Sequence, residues 1–322
     1  MEESVNVRIL ITSRLPDDCR PLAPHGAELI EGDDEFVPMS REAVIAKAGD
    51  VHAIVNQNEL VIDEELLSAA PKLKIVANAT AGFNNMDVPA MQARGVWGTN
   101  CPDSFASATA DHTLCLLLAV ARKLIEADKY VRTGAWENDG WTPGRWDGIS
   151  LDGRILGIVG YGRIGRQVAQ RAEAFGMVIR HCDEYSKDDA YLPFEEMLAV
   201  ADVVTLHCPL TEGTRRLINA RSLALMKPGG ILLNVSRGPV MDNDAVVAAL
   251  ASGRLGGAGL DVFEFEPAVP EQLFDMKNVV LSPHIGGGTV ESKRSAWAKC
   301  FENIGLVLAG ERPSSAVNSI AI

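Results

Sequence analysis

The stretch LGIVGYGRIGRQVAQ, Leu156–Gln170, spaces Gly160, Gly162 and Gly165 as G-x-G-x-x-G. An apolar run leads into these glycines and an amphipathic pattern, RIGRQVAQRAEAFG, leads out. In that setting the spacing predicts a strand-to-helix turn that holds a pyrophosphate. The first glycine permits the tight turn, the second lets the backbone approach the anion, and the third allows close helix–strand packing. The helix end then aims its free N–H groups and its dipole at the phosphates. At the end of the next apolar run, MVIRHCDEY, stands Asp183, where a carboxylate accepts hydrogen bonds from the ribose hydroxyls of NAD and repels a 2′-phosphate. Glu184 is the neighbouring alternative, and Arg180 and His181 nearby leave NADP open. Further polar groups follow apolar runs downstream: Arg237 in NVSRGPV, Asp261, Glu264 and Glu266 in LDVFEFEP, and His284 in SPHIGG. Ligands of doubly wound sheets lie at the carboxyl ends of strands, so this cation, these carboxylates and this imidazole are the candidates for chemistry.

The elements that must carry them alternate along the chain. VNVRILIT, HAIVN and LKIVANA read as strands, with the helical stretches SREAVIAKA and DEELLSAA between them, each opening on Ser or Asp as an N-cap. That alternation predicts a parallel sheet with helices on its faces. From Asp103 the pattern changes: DSFASATADHTLCLLLAVARKLIEADKYVRTG has no Pro or Gly before Gly134, which predicts one long helix bridging two bodies. A Trp-, Gly- and Pro-rich loop, WENDGWTPGRWDGISLDG, precedes the glycine turn, and strand-to-loop units resume after it. A second long helical stretch, GTVESKRSAWAKCFENIGLVLAG, closes the chain. If both long helices cross one cleft, residues 289–322 return to complete a first domain begun by residues 1–102, and residues 103–288 are an inserted dinucleotide-binding domain. The expected fold class is α/β: two Rossmann-like parallel-sheet domains, one flavodoxin-like and one dinucleotide-binding, with a cleft between them.

Composition narrows the classes of function. The 322 residues include 30 Lys and Arg against 43 Asp and Glu, a net charge of −13, which argues against nucleic acid or an anionic membrane as partner. A small anionic substrate then needs a local cation. MEESVNVRILITSRL lacks the basic start and long apolar core of a secretory signal, and the apolar run LCLLLAVA is too short to span a bilayer. Six scattered cysteines without a Cys-x-x-Cys pair fit reduced thiols in a cytoplasm and offer no metal cage.

The chain resembles the D-isomer-specific 2-hydroxyacid dehydrogenases over nearly its whole length. VGYGRIG, HCPLTEGTRRLIN, MKPGGILLNVSRGPVMD, GLDVFEFEP and LSPHIGG stand in that family's order and at its spacing, and the likeness is greatest to the glyoxylate and hydroxypyruvate reductases. The resemblance implies that Arg237 holds the carboxylate and carbonyl of a 2-oxo acid. It implies that His284 gives its proton to the carbonyl oxygen during reduction, and that Glu266 bonds the other ring nitrogen and favours imidazolium. Glu264 competes for that last role and reads as a surface acid; the formate-oxidising branch carries glutamine there instead. Asp261 is implied to meet the nicotinamide carboxamide. Thr109, Gly160, Gly162, Arg163, Ile164, Gly165, Asp183, Cys208, Pro209, Ser236 and Gly286 are implied to line the cofactor, NAD.

In the first domain the resemblance gives the carboxylate-binding backbone N–H groups to Ala81 and Gly82 of NATAGFNNMD. Asn78 adds selectivity there or stabilises a turn. Trp136, Trp141 and Trp146 crowd one loop; by the resemblance Trp141 reaches a partner's site, which implies a homodimer, with packing inside the chain as the alternative. His25, His52, His112, His181 and His207 read as structural. Two other readings stay open: a dinucleotide-sensing binding protein like the carboxy-terminal-binding corepressors, and a short phosphoglycerate dehydrogenase, which wants more basic residues in the first domain.

Overall fold

In the computed structural model, residues 7–320 are described, and they divide into two compact units. The first takes residues up to Phe105 together with those from Gly288 onward; the second runs from Ala106 to Gly287.

The first unit is built on a five-stranded parallel sheet. Its strands are β1 (Arg8–Ile11), β2 (Glu28–Glu31), β3 (Ala53–Asn56), β4 (Ile75–Asn78) and β5 (Trp97–Thr99), ordered β2-β1-β3-β4-β5. Helices α1 (Arg41–Lys47), α2 (Glu64–Ala69) and α3 (Val88–Ala93) connect them. The expected caps form: Ser40 Oγ accepts from the Ala43 N–H at 3.3 Å, and Asp63 Oδ1 from the Leu66 N–H at 3.1 Å. All of β3 and β4 is buried, because one face lies under α1–α3 and the other under the closing helix α11 (Val290–Leu308). Each buried Val, Ile or Leu of those strands contributes about 1.5–3 kcal/mol. Trp297, Phe301 and Ile304 of α11 supply the second cover.

The sheet of the second unit has six parallel strands: β6 (Ile155–Val159), β7 (Val178–Cys182), β8 (Val203–Leu206), β9 (Gly230–Asn234), β10 (Leu255–Leu260) and β11 (Val279–Leu281). Their order is β11-β10-β9-β8-β6-β7, so the direction of winding reverses between β6 and β8. Helices α8 (Phe194–Val200), α9 (Ala220–Leu225) and α10 (Asn243–Ala251) cover one face. The other is covered by α7 (Arg163–Ala174) and by α4 (Pro102–Ala121) through Leu114, Leu116 and Leu117. Helix α4 is long and apolar enough to cross a membrane by length and composition, and more than half of that span is buried in the fold.

The single long helix expected after Asp103 is divided. It stops at Ala121, and α5 (Leu124–Arg132) and α6 (Ala135–Asp139) follow as separate helices. Two features break it. Lys123 takes φ 52°, a left-handed value that a right-handed helix cannot contain. The returning chain then claims the Ala121 carbonyl, which accepts from the Ile149 N–H at 3.0 Å. Gly148 makes that approach possible, since a Cβ there would lie 2.2 Å from the same oxygen.

Candidate active site

The glycine turn follows β6 at the edge of the winding reversal. Gly160 adopts φ 91°, and a Cβ on it would lie 2.7 Å from the Cys208 nitrogen, so the β6 and β8 loops touch there. A Cβ on Gly165 would lie 2.2 Å from the Gly160 carbonyl oxygen. Gly162 differs: nothing lies within 4 Å of its Cβ position, and as N-cap of α7 it offers no side chain to the first-turn N–H groups. An open face beside uncapped N–H donors suits a diphosphate. Arg163 and Ile164 form the first turn of that helix.

Asp183 folds back onto this turn. Its Oδ2 accepts from the Tyr161 N–H at 2.7 Å, and its Oδ1 from the N–H groups of Tyr185 at 2.8 Å and Ser186 at 3.1 Å. Burial acts to raise its pKa, but the three backbone donors outweigh it and hold the carboxyl below its ordinary value. Oδ2, which accepts a single bond, keeps a lone pair for a ribose hydroxyl. Tyr161 stacks on His181 at 3.9 Å, and His181 Nε2 meets Asp188 at 2.8 Å, so that histidine is structural. In the β8 loop, burial pushes the Cys208 thiol up to about 11, which keeps it protonated, and the Pro209 carbonyl accepts from Thr214. His207 pairs with Thr205 at 2.9 Å, and burial holds it neutral down to about 3.

The candidate acid–base groups come together at the ends of β9, β10 and β11. Asn234, fully buried at the end of β9, accepts from the Ser236 N–H at 3.0 Å and hydroxyl at 2.9 Å and donates to the Arg237 carbonyl at 3.1 Å. This asparagine shapes the arginine loop, a role that the motif around it does not announce. Arg237 is half-buried, donates to the Ser236 carbonyl at 2.7 Å, and has its pKa lowered by burial against the opposing pull of Glu266. A guanidinium stays charged through such a shift. The next residue, Gly238, lies against the segment carrying Glu266: a Cβ there would fall 1.9 Å from the Phe263 carbonyl carbon and oxygen.

Glu266 Oε1 accepts from the Phe263 N–H at 2.9 Å, and Oε2 meets His284 Nδ1 at 2.8 Å. Burial acts to raise the Glu266 pKa, while the bonds from His284 and Phe263 and the nearby Arg237 charge bring it below its ordinary value. An ionised Glu266 therefore faces the ring. Glu264 points elsewhere, to Arg216 at 3.3 Å, and its side chain is only 13% exposed, so it is a paired acid and not the surface acid expected. Pairing across 48 residues removes it from competition for His284.

Asp261 is 1% exposed, and its carboxylate binds the N–H groups of Ile285 at 2.9 Å and Gly286 at 2.8 Å. Thr109 on α4 lies beside Gly286, its Cγ2 3.6 Å from the Cβ position there. In the first unit, the Ala81 carbonyl accepts from Asn100 at 2.7 Å and the Gly82 carbonyl from Thr80 at 3.0 Å. The Ala81 and Gly82 N–H groups have no partner among the described residues. Asn78 bonds Asn56 at 2.8 Å, Asn85 at 2.7 Å and the Gly82 carbonyl at 3.1 Å; its polar atoms are spent stabilising this loop. Trp146 packs at 5.2 Å from Tyr130, whereas Trp141 is 79% exposed, so packing inside the chain accounts for the first and not the second. No group of three or more His, Cys, Asp or Glu suited to a metal occurs among the described residues.

Residues 114–286 match the family described as D-isomer specific 2-hydroxyacid dehydrogenase, NAD binding domain. The glyoxylate reductase of Thermococcus onnurineus is 42% identical over 320 residues, 97% of this chain and 96% of that one. That of Pyrococcus furiosus is 41% identical over 98% and 96%. Among solved structures, a protein of Thermus thermophilus superposes with a TM-score of 0.91 at 39% identity, covering 97% of this chain and all of the other. An NADPH-dependent glyoxylate/hydroxypyruvate reductase from Sinorhizobium meliloti, solved with NADP and malonate, gives 0.87 at 32% identity, covering 98% and 100%. With its glycine turn and its ionised carboxylate–imidazole pair beside an arginine, this chain belongs to the D-isomer specific 2-hydroxyacid dehydrogenases, enzymes that use a nicotinamide dinucleotide to interconvert small 2-oxo and 2-hydroxy acids.

Proposed function

We propose that this chain reduces a small 2-oxo acid, glyoxylate or hydroxypyruvate, to the D-2-hydroxy acid with NADH, and runs the reverse reaction. The observation that carries the reading is the 2.8 Å bond between His284 Nδ1 and Glu266, with the Arg237 charge alongside. In this reading Arg237 holds the substrate carboxylate and carbonyl, a task that suits a planar guanidinium better than a point charge. The unpartnered N–H groups of Ala81 and Gly82 receive the carboxylate. Backbone donors recognise the acid and take no account of its side chain.

The nicotinamide supplies the hydride. His284 gives its Nε2 proton to the carbonyl oxygen, because Glu266 occupies Nδ1 and stabilises the imidazolium. In the reverse direction the neutral ring takes that proton back. Asp261 Oδ2, which accepts a single bond from Gly286, retains a lone pair for the carboxamide. Thr109, Cys208, Pro209, Ser236 and Gly286 line the cofactor, and the turn from Gly160 to Gly165 takes its diphosphate. NAD is favoured over NADP because an ionised Asp183 would repel a 2′-phosphate.

The molecule works as a homodimer in this reading. Helix α5 buries none of its residues, with Leu124, Ile125 and Val131 more than half exposed, and Trp141 projects from the loop beyond it. Such a surface wants a cover, and Trp141 then lends its ring to the partner's substrate pocket. The first unit binds substrate, the second binds cofactor, and six free cysteines suit the cytoplasm.

The test is NADH and NADPH oxidation with glyoxylate, hydroxypyruvate, pyruvate, phenylpyruvate and phosphohydroxypyruvate. Turnover of the first two with NADH is expected. Preference for phosphohydroxypyruvate refutes the substrate, preference for NADPH refutes the cofactor, and no turnover at all points to a dinucleotide-sensing binding protein.

A further inference from the structure

Asp261 is held by side chains to which no role has been given. Ser282 Oγ donates to its Oδ1 at 2.6 Å, and His112 Nε2, on α4, lies 2.9 Å from that hydroxyl and 3.4 Å from the same carboxylate oxygen. The order of the donors follows. Ser282 has one hydrogen and spends it on the carboxylate, so its oxygen accepts from His112 Nε2–H. That geometry excludes a nucleophilic serine, because the hydroxyl proton faces a carboxylate already engaged by two amides and not a free base.

What the chain of bonds controls is the loop bearing His284. Asp261 binds three successive amides there: its backbone carbonyl takes the His284 N–H at 2.9 Å, Oδ1 takes that of Ile285, and Oδ2 that of Gly286. Between these bonds His284 sits at φ 53°, in the left-handed region that a non-glycine residue keeps only where its surroundings enforce it. Gly286 leaves little slack, since a Cβ on it would lie 3.0 Å from Asp261 Oδ2.

We propose that Ser282 and His112 are positioning residues for the acid–base pair: they lock the Asp261 carboxylate, which grips the Ile285 and Gly286 amides and keeps His284 in the backbone conformation that brings Nδ1 to Glu266. The proposal rests on His284 being the proton donor. Ser282 and His112 touch neither substrate nor cofactor in this scheme. They act through the aim of one ring.

The test uses Ser282→Ala, Ser282→Thr, His112→Ala and His112→Gln in the full chain. Loss of one hydrogen bond to a buried carboxylate is expected to lower kcat for reduction about tenfold in Ser282→Ala, with KM little changed. The alkaline limb of the reduction profile moves to lower pH, because a misaimed ring loses Glu266. Ser282→Thr keeps the hydroxyl and His112→Gln keeps a donor, so both retain most of the rate. Amide hydrogen exchange at Ile285 and Gly286 speeds up in Ser282→Ala, while the Gly160–Gly165 turn is unaffected. His112→Ala, at the far end of the chain, reads the same effect should Ser282→Ala fail to fold. An unmoved pH limb with unchanged exchange overturns the proposal, as does equal loss in Ser282→Ala and Ser282→Thr. If the wild type reduces no 2-oxo acid, the functional reading fails instead, and the exchange rates still decide whether the clamp exists.

Discussion

Replacing Glu266 by glutamine removes one charge and almost no volume, and it sets two hydrogen bonds against each other. Glu266 accepts twice, from the Phe263 N–H at 2.9 Å and from His284 Nδ1 at 2.8 Å. A glutamine has one accepting oxygen. If that oxygen keeps Phe263, its NH2 group faces Nδ1, which then must accept, and the proton-carrying ring is disfavoured. If the amide flips, its NH2 confronts the Phe263 N–H instead. Charge adds to this. Two unit charges roughly 4 Å apart interact by about 1 kcal/mol in water and about 4 kcal/mol near a protein surface. With His284 half exposed and Glu266 a third exposed, the lower end applies. A hydrogen bond to a charged group contributes about 1.5–3 kcal/mol more. Together these amount to about 2.5–4 kcal/mol, and since about 1.36 kcal/mol corresponds to one pH unit, the alkaline limb of reduction should move about two to three units toward lower pH. The sign is fixed, because reduction needs the protonated ring and the variant surrenders that proton earlier as pH rises. The acid limb of the reverse reaction, which needs the neutral ring, must move the same way. The assay is kcat/KM for both directions across pH, followed by NADH absorbance. Limbs that stay in place, or that move in opposite directions, would refute the pairing of Glu266 with the reacting histidine.

Four further outcomes are expected. His284→Ala should lower kcat by about 10²–10⁴-fold while NADH binding, read by fluorescence, persists; a wild-type rate would remove His284 from the chemistry. Asp183→Ala should raise kcat/KM with NADPH relative to NADH, and an unchanged ratio would show that the carboxylate does not discriminate. Gly238→Ala should cost about 1–3 kcal/mol in denaturant unfolding through overpacking against Phe263, and should weaken activity by shifting Arg237. Asp202 binds the Ile155 N–H at 2.8 Å and Lys227 at 2.9 Å; burial acts to raise its pKa, but these bonds depress it. Its stabilisation is therefore present above the unfolded value and lost as pH falls through the folded one. Asp202→Asn should destabilise at neutral pH, and the gap to wild type should close in acid; a gap that persists there would contradict the linkage.

The legible parts of this molecule are those whose cause is local. The glycine turn can be read because its strand, turn and helix occupy consecutive residues, and Ser40 and Asp63 because a cap acts on N–H groups three residues away. Parallel sheets follow from alternation in the same way. What escapes depends on partners distant in sequence. His112 reads as an ordinary helical histidine until Ser282, 170 residues later, lies against it. Glu264 looks like a surface acid until Arg216 folds onto it. Asn234 gives no sign beforehand that it will hold the Arg237 loop. The break after Ala121 has no Pro or Gly to announce it; its causes are the left-handed Lys123 and the Ile149 N–H arriving from a returning loop. Asn78 allows two readings in the sequence, and its neighbours Asn56 and Asn85 decide for the turn.

The discontinuous first unit has a consequence for synthesis on the ribosome. Strands β1 to β5 emerge early, yet the helix that covers one side of their sheet, with Trp297, Phe301 and Ile304, is translated only after the whole second unit. That second unit is contiguous and can close its own core meanwhile. Until α11 is made, Ile9, Ile11, Val55 and Ile75 present a bare greasy wall on the nascent chain. Chaperones that shield such surfaces have their longest opportunity there, at the opposite end of the sequence from the helix that finally relieves them.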